Sequence, residues 1–291
     1  MAKILCIGSL NIDFVYQVAR FVKPGETLSA KTFHKHPGGK GLNQSIAAAR
    51  AGAQVTHIGC IGPEGAFLSD LLQADGVDTT ELQTSDTPTG HAIIQVDESG
   101  ENCILLFPGA NTALDLQKVR ISIESADPDT LILLQNEISG LPEILKLAAE
   151  KGLRTVFNPA PMTEDVATYP LDRLSVLICN ESEGAALSGQ TEPGNILKCL
   201  TERYPNTDVI LTLGSKGCRC LGPEQDWHIT AEKVKPIDTT AAGDTFAGYL
   251  VAMIAKGLPL KQAAEHASKA AAVTVARPGA AVSIPYLKEL N

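Results

Sequence analysis

Short apolar runs alternate with stretches of helical spacing along most of this chain. The runs with the length and composition of buried strands are 2–10, 55–61, 131–137, 155–158, 176–180 and 209–213. The stretches with helical spacing of apolar residues are 41–51, 65–74, 141–151, 195–204 and 245–256. Strands that alternate with helices form βαβ units. The pattern therefore predicts an α/β fold with a mostly parallel, twisted sheet and helices on both of its faces.

Two segments interrupt this alternation. Residues 13–37 have no helical period and carry Pro24-Gly25 between two extended stretches, and residues 87–108 contain an expected hairpin with strands 92–97 and 103–107. We expect the two segments to form one small β-sheet outside the main domain. The main domain then consists of residues 1–12, 38–86 and 109–291.

The expected hairpin carries apolar residues that would form an apolar face, which the small sheet alone would leave uncovered. These residues are Ile93, Ile94, Val96, Ile104 and Leu106. Closure of the sheet over a bound sugar as a lid, or pairing with the same sheet of a second subunit, would cover them.

Composition narrows the classes of partner. The chain has 291 residues, a net charge of −9 and a pI of about 5.2, which argues against nucleic acid or an anionic membrane as the main partner. No apolar run approaches the roughly 20 residues of a membrane span. The first residues lead directly into a strand-like run, so no signal peptide is expected. Seven cysteines without a Cys-x-x-Cys pair favour reduced thiols in a cytoplasmic protein.

The segment 236–248 carries the clearest chemical signal. Small residues Ala241, Ala242 and Gly243 precede a helical pattern, so unpaired amides at the helix start can approach an anion such as a phosphate. Asp244 lies in the same first turn, where it could take a proton from an alcohol while the amides hold the transferring phosphoryl group. The alternative is an aspartate that only stabilises the helix start. This segment alone leaves both interpretations open.

A second group of polar residues suits a polyhydroxylated ligand. The glycine-rich turn 38–43 stands before a helix, and Asn11 and Asp13 are expected to end the first strand as Glu137 ends another. Carboxyl ends of parallel strands meet at one sheet edge, where α/β proteins bind ligands. Lys40 and Asn43 from the turn would add further donors. Each of these residues taken singly could instead be a cap or turn residue.

A third group follows two later strands. Asn180 and Glu183 follow the strand 176–180, and Glu183 is placed to hold a hydrated Mg²⁺, although an N-cap followed by first-turn carboxylates fits nearly as well. The turn after 209–213 suits backbone approach to phosphate or ribose, with a plain β-turn as the alternative. Its residues are Thr212, Gly214, Ser215 and Gly217. A monovalent cation could be held by Asp238, Thr240, Val275, Gly279 and Ser283, although nothing in the sequence alone demands it.

With both glycine-rich elements in place, the chain resembles the ribokinase-like (PfkB) carbohydrate kinases over essentially its whole length. The first family signature is matched by 38–45 with Gly52 and Gly62, and the second by 238–244. Two long signatures in the right order are highly specific. The resemblance implies the three-layer fold of this family with a small β-sheet lid. It also implies a dimer formed through the lids.

The resemblance also implies a reaction and a set of site residues. The reaction is phosphorylation of the 5-hydroxyl of D-ribose by MgATP, with Asp244 as the base and the amides of Ala242 and Gly243 as the anion hole. The sugar contacts would be Asn11, Asp13, Gly39, Lys40, Asn43 and Glu137. The nucleotide and magnesium side would comprise Asn180, Glu183, Thr212, Gly214, Ser215, Gly217, Gly243 and Ser268, the last standing where the family usually has Asn or His. The activating potassium site would be Asp238, Thr240, Val275, Gly279 and Ser283.

Two other functions stay open from the sequence. One is a kinase of the same family that acts on deoxyribose, a ketose phosphate or a nucleoside. The other is a sugar-binding protein without catalysis, against which the intact segment Ala242-Gly243-Asp244 argues. No arginine accompanies the glycine-rich turn to bind a second phosphate, which favours a small unphosphorylated pentose.

Overall fold

Strands and helices alternate through most of the computed structural model, which describes residues 2–290. The strands in this part of the chain are β1 (Lys3–Ile7), β2 (Asn11–Gln17), β3 (Thr32–Gly38), β4 (Gln54–Ile58), β5 (Cys60–Ile61), β6 (Gln83–Thr84), β7 (Gly90–Val96), β8 (Asn102–Phe107), β9 (Leu131–Gln135), β10 (Arg154–Asn158), β11 (Val176–Asn180), β12 (Asp208–Thr212), β13 (Cys218–Gly222) and β14 (Gln225–Ile229). The α-helices are α1 (Lys40–Arg50), α2 (Ala66–Ala74), α3 (Leu116–Ser125), α4 (Leu141–Glu150), α5 (Glu181–Ser188), α6 (Pro193–Arg203), α7 (Ala242–Ala255) and α8 (Leu260–Val275).

The central sheet has eight strands in the order β14-β13-β12-β11-β10-β9-β1-β4. All neighbours from β4 to β12 run parallel, and β13 and β14 add an antiparallel hairpin at one edge. The predicted mostly parallel sheet is therefore confirmed. Among residues 2–290, the model contains no helix with the length and hydrophobicity needed to span a bilayer.

Alternating residues of each central strand enter two different cores. In β1, Ile4 and Cys6 belong to the core beneath α1, α7 and α8, whereas Leu5 and Ile7 belong to the core beneath α3 to α6. Successive side chains of a strand point to opposite faces, so a strand that is apolar throughout needs cover on both sides. The result is the expected arrangement of three layers.

A second sheet of four strands, here called the small sheet, has the order β3-β2-β7-β8. It contains the expected hairpin, formed by β7 and β8. The structure corrects the placement of Asn11 and Asp13, which lie in β2 of the small sheet and do not end the first strand. The central strand β1 ends at Ile7, and the Leu10 amide bonds to the side chain of Asn111 instead of a neighbouring strand. Leu10 is fully buried at the junction of the two sheets, so the hydrophobic run continues across the break.

The two faces of the small sheet carry different residues. Cross-strand partners share a face, and the pairings place Asp13, Ala92 and Leu106 on one face. Ile93 and Leu105 pair on the other face. The expectation of one apolar face containing both Ile93 and Ile94 was therefore wrong, because neighbours in a strand point to opposite sides. The sheet has apolar side chains on both faces.

Candidate active site

Asp244 lies in the first turn of α7 and is 7% exposed. The helix begins at Ala242, three residues earlier than its apolar pattern suggested. Its N-cap, Ala241, has a φ of 60°, and no other non-glycine residue in the described chain has a positive φ. This left-handed conformation is costly for a residue with a Cβ, and such strain tends to occur at functional sites. It turns the chain sharply into the helix.

Two side chains of α1 hold the Asp244 carboxylate. Asn43 Nδ2 donates to Oδ2 at 3.0 Å, and Gln44 Nε2 donates to Oδ1 at 3.0 Å. The helices approach closely at Gly248 of α7, where an added Cβ would lie 2.5 Å from the Gln44 carbonyl oxygen. A glycine at this position thus lets the side chains of α1 reach the start of α7.

Glu137 fixes the start of α1. The Lys40 amide donates to Glu137 Oε2 at 2.9 Å, and the Ser9 hydroxyl donates to the same oxygen. The strand β9 ends at Gln135, so Glu137 lies two residues beyond the strand end where the sequence placed it. The carboxylate suits this position because a helix N-terminus carries unpaired amides and a partial positive charge.

A cavity of about 230 Å³ lies between the two sheets and is here called the smaller cavity. Asn11 and Glu137 line it together with Leu106 from the inward face of the small sheet. The Asn11 amide oxygen accepts a hydrogen bond from Asn111 Nδ2 at 2.7 Å. Four other predicted sugar contacts do not line this cavity, namely Asp13, Gly39, Lys40 and Asn43. The buried Asn43 Oδ1 finds no hydrogen-bond partner among residues 2–290. A buried acceptor of this kind normally has a partner, so a ligand hydroxyl is a suitable complement.

Four carboxylates surround one lysine in this region. Burial and the charge of Glu137 raise the pKa of Asp13 to about 6. Burial also raises the pKa of Glu137 and that of Glu183. The nearby carboxylates, Asp244 above all, raise the pKa of Lys40 and keep its ammonium charged. The excess of negative charge means that an anionic ligand needs cations to accompany it.

A larger cavity of about 500 Å³ adjoins the first turn of α7 on its other side. The sequence predicted seven nucleotide-binding residues, and six of them line this cavity. They are Thr212, Gly214, Ser215, Gly217, Gly243 and Ser268. Much of its remaining wall is apolar, with Val234, Pro236, Phe246 and Ala271 among the lining residues. Apolar walls with a few polar groups are typical of sites for a flat heterocyclic ligand.

The start of α7 forms part of this larger cavity. The Gly243 amide has no acceptor among residues 2–290, whereas the Ala242 amide donates to the Thr239 carbonyl at 3.3 Å. A Cβ added to Gly243 would meet no atom within 4 Å. The Gly243 amide is therefore accessible to an anion entering from the cavity, and Asp244 lies one residue further on.

Asn180 and Glu183 cap the helix α5. The Asn180 side chain accepts from the Glu183 amide at 2.8 Å, and Glu183 Oε2 accepts from the Asn180 amide at 2.9 Å. The capping interpretation that the sequence left open is thus present. It does not exclude a metal role, because Glu183 Oε1 accepts no hydrogen bond from the described residues. Asn180 does not line the larger cavity.

The residues proposed for a monovalent cation lie on two adjoining loops. Asp238 bridges the loops, since its side chain accepts from the amides of Thr240 and Gly279, each at 2.9 Å. The Val275 carbonyl already accepts two amides, those of Ile237 at 2.7 Å and Asp238 at 3.2 Å. The carbonyls of Asp238 and Thr240 accept none from residues 2–290. The donor set fits a cation, with Val275 as its weakest member.

Several polar residues of the site were not found from the sequence. They are Ser9, Gln44, Asn111, Gln135 and Asn158. Gln44 lies inside the glycine-rich signature 38–45, and Asn111 follows the hairpin segment 87–108. The available signal was Gln44 itself, which stands with Asn43 and Ser45 in an otherwise alanine-rich helix.

Comparison with known proteins extends this description. A family model described as pfkB family carbohydrate kinase matches residues 1–287. A ribokinase from Haemophilus influenzae is 36% identical over 292 residues, which is 97% of this chain and 95% of the relative. The ribokinase of Cryptococcus neoformans in complex with ADP has a TM-score of 0.87 at 34% identity and covers 100% of this chain and 99% of its own. The ribokinase of Arabidopsis thaliana complexed with ribose and ATP has a TM-score of 0.88 at 27% identity, with 100% and 98% covered.

Proposed function

This chain belongs to the pfkB family of carbohydrate kinases, and on that premise we propose that it transfers the terminal phosphoryl group of ATP to the 5-hydroxyl of D-ribose. The similar proteins named ribokinase, one of them complexed with ribose and ATP, support the choice of substrates. The observation that carries the proposal is the position of Asp244. Its carboxylate is held by α1 on the sugar side, and the neighbouring Gly243 lines the larger cavity.

In this reaction Asp244 acts as the general base. The 5-hydroxyl donates its proton to the Asp244 carboxylate as its oxygen attacks the γ-phosphorus of ATP, and the bond from that phosphorus to the bridging oxygen breaks to release ADP. A positioned base of this kind typically contributes about 10²- to 10⁴-fold to the rate. Asn43 holds one oxygen of the carboxylate before substrate arrives, so little reorganisation is needed.

The first turn of α7 supplies the anion hole. The Gly243 amide has no protein acceptor in residues 2–290 and can donate to the oxygens of the transferring group. The Ala242 amide, predicted for the same role, would have to exchange its 3.3 Å bond to the Thr239 carbonyl. The helix dipole adds positive potential at the same point.

The sugar side uses the residues around the smaller cavity. Asn11 and Glu137 line this cavity and offer acceptors and donors to hydroxyl groups, and the unpaired Asn43 Oδ1 offers a further acceptor. Asp13 lies on the same face of β2 as Asn11 and adds a carboxyl group. Lys40 keeps its positive charge among the carboxylates and is placed to contact the sugar or the phosphoryl group. Gly39 gives the turn before α1 its φ of 97°, a conformation that side chains disfavour.

Two cations would complete the site. Magnesium, when bound through water by Glu183, supplies positive charge that offsets the phosphates of ATP among the four carboxylates. No group of three or more metal-ligating residues occurs in the described chain, so magnesium would depend on waters and phosphates for most of its ligands. Potassium would lie between the loops that Asp238 joins, and its charge would order the segment that leads into Ala241.

The small sheet would act as a lid and as a dimer contact. Leu106 on its inward face lines the smaller cavity, so movement of the sheet opens or closes that cavity. Leu105 is 68% exposed on the outward face, the face that also carries the stacked rings of Phe14 and Phe33. A second copy of the sheet would cover this apolar surface.

All seven cysteines are free thiols, which supports a reducing compartment such as the cytoplasm.

Release of ADP measured with ATP and a panel of sugars tests the proposal. D-ribose should give the highest kcat/KM, followed by 2-deoxyribose, with hexoses and nucleosides well below. A preference for deoxyribose or for a nucleoside would support the kinase activity but would show that ribose is not the preferred substrate. No ADP release with any sugar, together with measurable sugar binding, would favour the sugar-binding protein without catalysis.

A further inference from the structure

Gln44 makes a contact with Asp244 that the sugar and nucleotide assignments leave unused. The residue is fully buried and lines neither of the two cavities. Its Nε2 donates to Asp244 Oδ1 at 3.0 Å. An ionised carboxylate can only accept hydrogen bonds, so the amide nitrogen of Gln44 must face it.

A chain of buried amides fixes the orientation of Gln44. Gln135, also fully buried at the end of β9, donates from Nε2 to Gln44 Oε1 at 2.7 Å. Asn158 at the end of β10 accepts from Gln44 Nε2 at 3.3 Å and donates to the Ile178 carbonyl of β11 at 3.0 Å. Gln44 is thus tied to three neighbouring strands of the central sheet. Reversal of its amide would break the bonds to both Gln135 and Asp244.

We propose that Gln44 is a positioning residue for the base Asp244, and that it couples the direction of that carboxylate to the central sheet. The inference rests on the proposed function, in which Asp244 takes the proton of the acceptor hydroxyl. Asn43 holds the other carboxylate oxygen, but its assigned partner is also the sugar. Gln44 is fully buried and all its polar atoms are paired, whereas Asn43 keeps an unpaired Oδ1 for a ligand. The hydrogen bond from Gln44 therefore persists when Asn43 turns toward a ligand.

The consequence of losing Gln44 falls on turnover and spares sugar binding. With Asn43 as the remaining donor, the carboxylate can rotate about its Cβ–Cγ bond away from the acceptor hydroxyl. A misplacement of about 1 Å at a reacting group costs on the order of 10²-fold in rate. Sugar affinity should be unchanged, because Gln44 touches no cavity and the residues around the smaller cavity keep their contacts.

The test is Gln44→Leu, which keeps similar volume and removes the donor. We expect kcat to fall about 100-fold while KM for the sugar and its dissociation constant stay unchanged. The matched control is Ser45→Ala, which removes another buried hydrogen bond of the same helix, that to His57 Nδ1, and should leave kcat unchanged. Gln44→Asn keeps an amide but withdraws it by one methylene, and should reproduce the loss if the leucine variant fails to fold.

The decisive comparison uses the Asp244→Asn background. If Gln44 acts through the base, Gln44→Leu should cause no further fall in the residual turnover of that background. An equal fall in both backgrounds, a loss confined to KM, or a normal kcat in Gln44→Leu or Gln44→Asn would overturn the inference. Normal turnover in Asp244→Asn itself would instead refute the role of Asp244 as base, and absence of ADP release by the parent chain with every sugar would refute the proposed function, so these failures are distinguishable from failure of the inference.

Discussion

Replacement of Asp244 by asparagine should abolish most turnover while leaving the fold intact. The new amide has the same outline but one acceptor oxygen and one NH₂ group. Its oxygen can keep the bond from Gln44, and its NH₂ then faces Asn43. Asn43 carries a buried Oδ1 without a partner among residues 2–290. A half-turn of the Asn43 amide brings this oxygen round to accept from the new NH₂.

Both hydrogen bonds can therefore be kept, and the effect on stability should be small. A net hydrogen bond is worth about 0.5–1.5 kcal/mol, so little is lost when the two are re-formed. One of four carboxylates is also removed from around Lys40, which lowers their mutual repulsion. Asp244→Ala, by contrast, leaves the two buried N–H groups that faced the carboxylate, one from Asn43 and one from Gln44, without that acceptor, at about 1–3 kcal/mol each.

The effect on chemistry should be large, because an amide cannot accept the hydroxyl proton. We expect kcat to fall by about 10²- to 10⁴-fold. Single-turnover ADP release measures the chemical step, calorimetry measures sugar binding, and thermal unfolding of the two variants measures stability. Turnover within about tenfold of the parent would exclude Asp244 as the base. An asparagine variant as unstable as the alanine variant would refute the hydrogen-bond argument.

Three further predictions concern the rest of the site. The pKa of Asp13 is raised from 3.8 to about 6 in the folded chain. Between these two pH values the folded chain keeps a proton that the unfolded chain has released, so Asp13 lowers the free energy of unfolding as pH rises from about 4 to about 6. Melting temperatures across the window should fall less in Asp13→Asn, and an unchanged slope would contradict this. Potassium should raise the rate more than sodium, and Ser283→Ala should weaken the potassium response more than ribose binding; equal rates without potassium would exclude the cation role. Leu105→Asp should produce monomers in analytical ultracentrifugation, whereas Ile121→Asp, at a site 64% exposed on α3, should leave a dimer; a parent chain that is already monomeric would refute the dimer.

Much of the main fold could be predicted because its signals are local. Apolar runs and helix boundaries lie close to the observed elements, and the strand Val176–Asn180 has the expected bounds. The placement of Asn11 was wrong for a reason that is not local. Leu10 is buried where two sheets meet, so the apolar pattern resumes after Gly8 and Ser9 although β1 ends at Ile7. A run of apolar residues indicates that those residues are buried, but it does not indicate which sheet they belong to.

The site was predictable where its residues stand at element starts and unpredictable where they lie inside elements. The segment from Ala241 to Asp244 can be recognised in the sequence by its glycine and by the helical pattern that follows. The left-handed conformation of Ala241, however, has no sequence signal. Gln44 and Gln135 are polar residues within a helix and a strand, and polarity alone suggests solvent. Only the positions of neighbouring elements show that the two amides meet.

The hydrogen bond between Asn43 and Asp244 joins residues separated by 201 positions in the sequence. During synthesis, Asn43 leaves the ribosome long before its partner exists, and the amides destined for Asp244 remain solvated until α7 is made. Non-local contacts form late because the chain must first lose the entropy of a long loop. Asp244 therefore forms its hydrogen bonds with Asn43 and Gln44 in one of the last steps of folding. A nascent chain that ends before α7 contains all eight strands of the central sheet and lacks the catalytic aspartate.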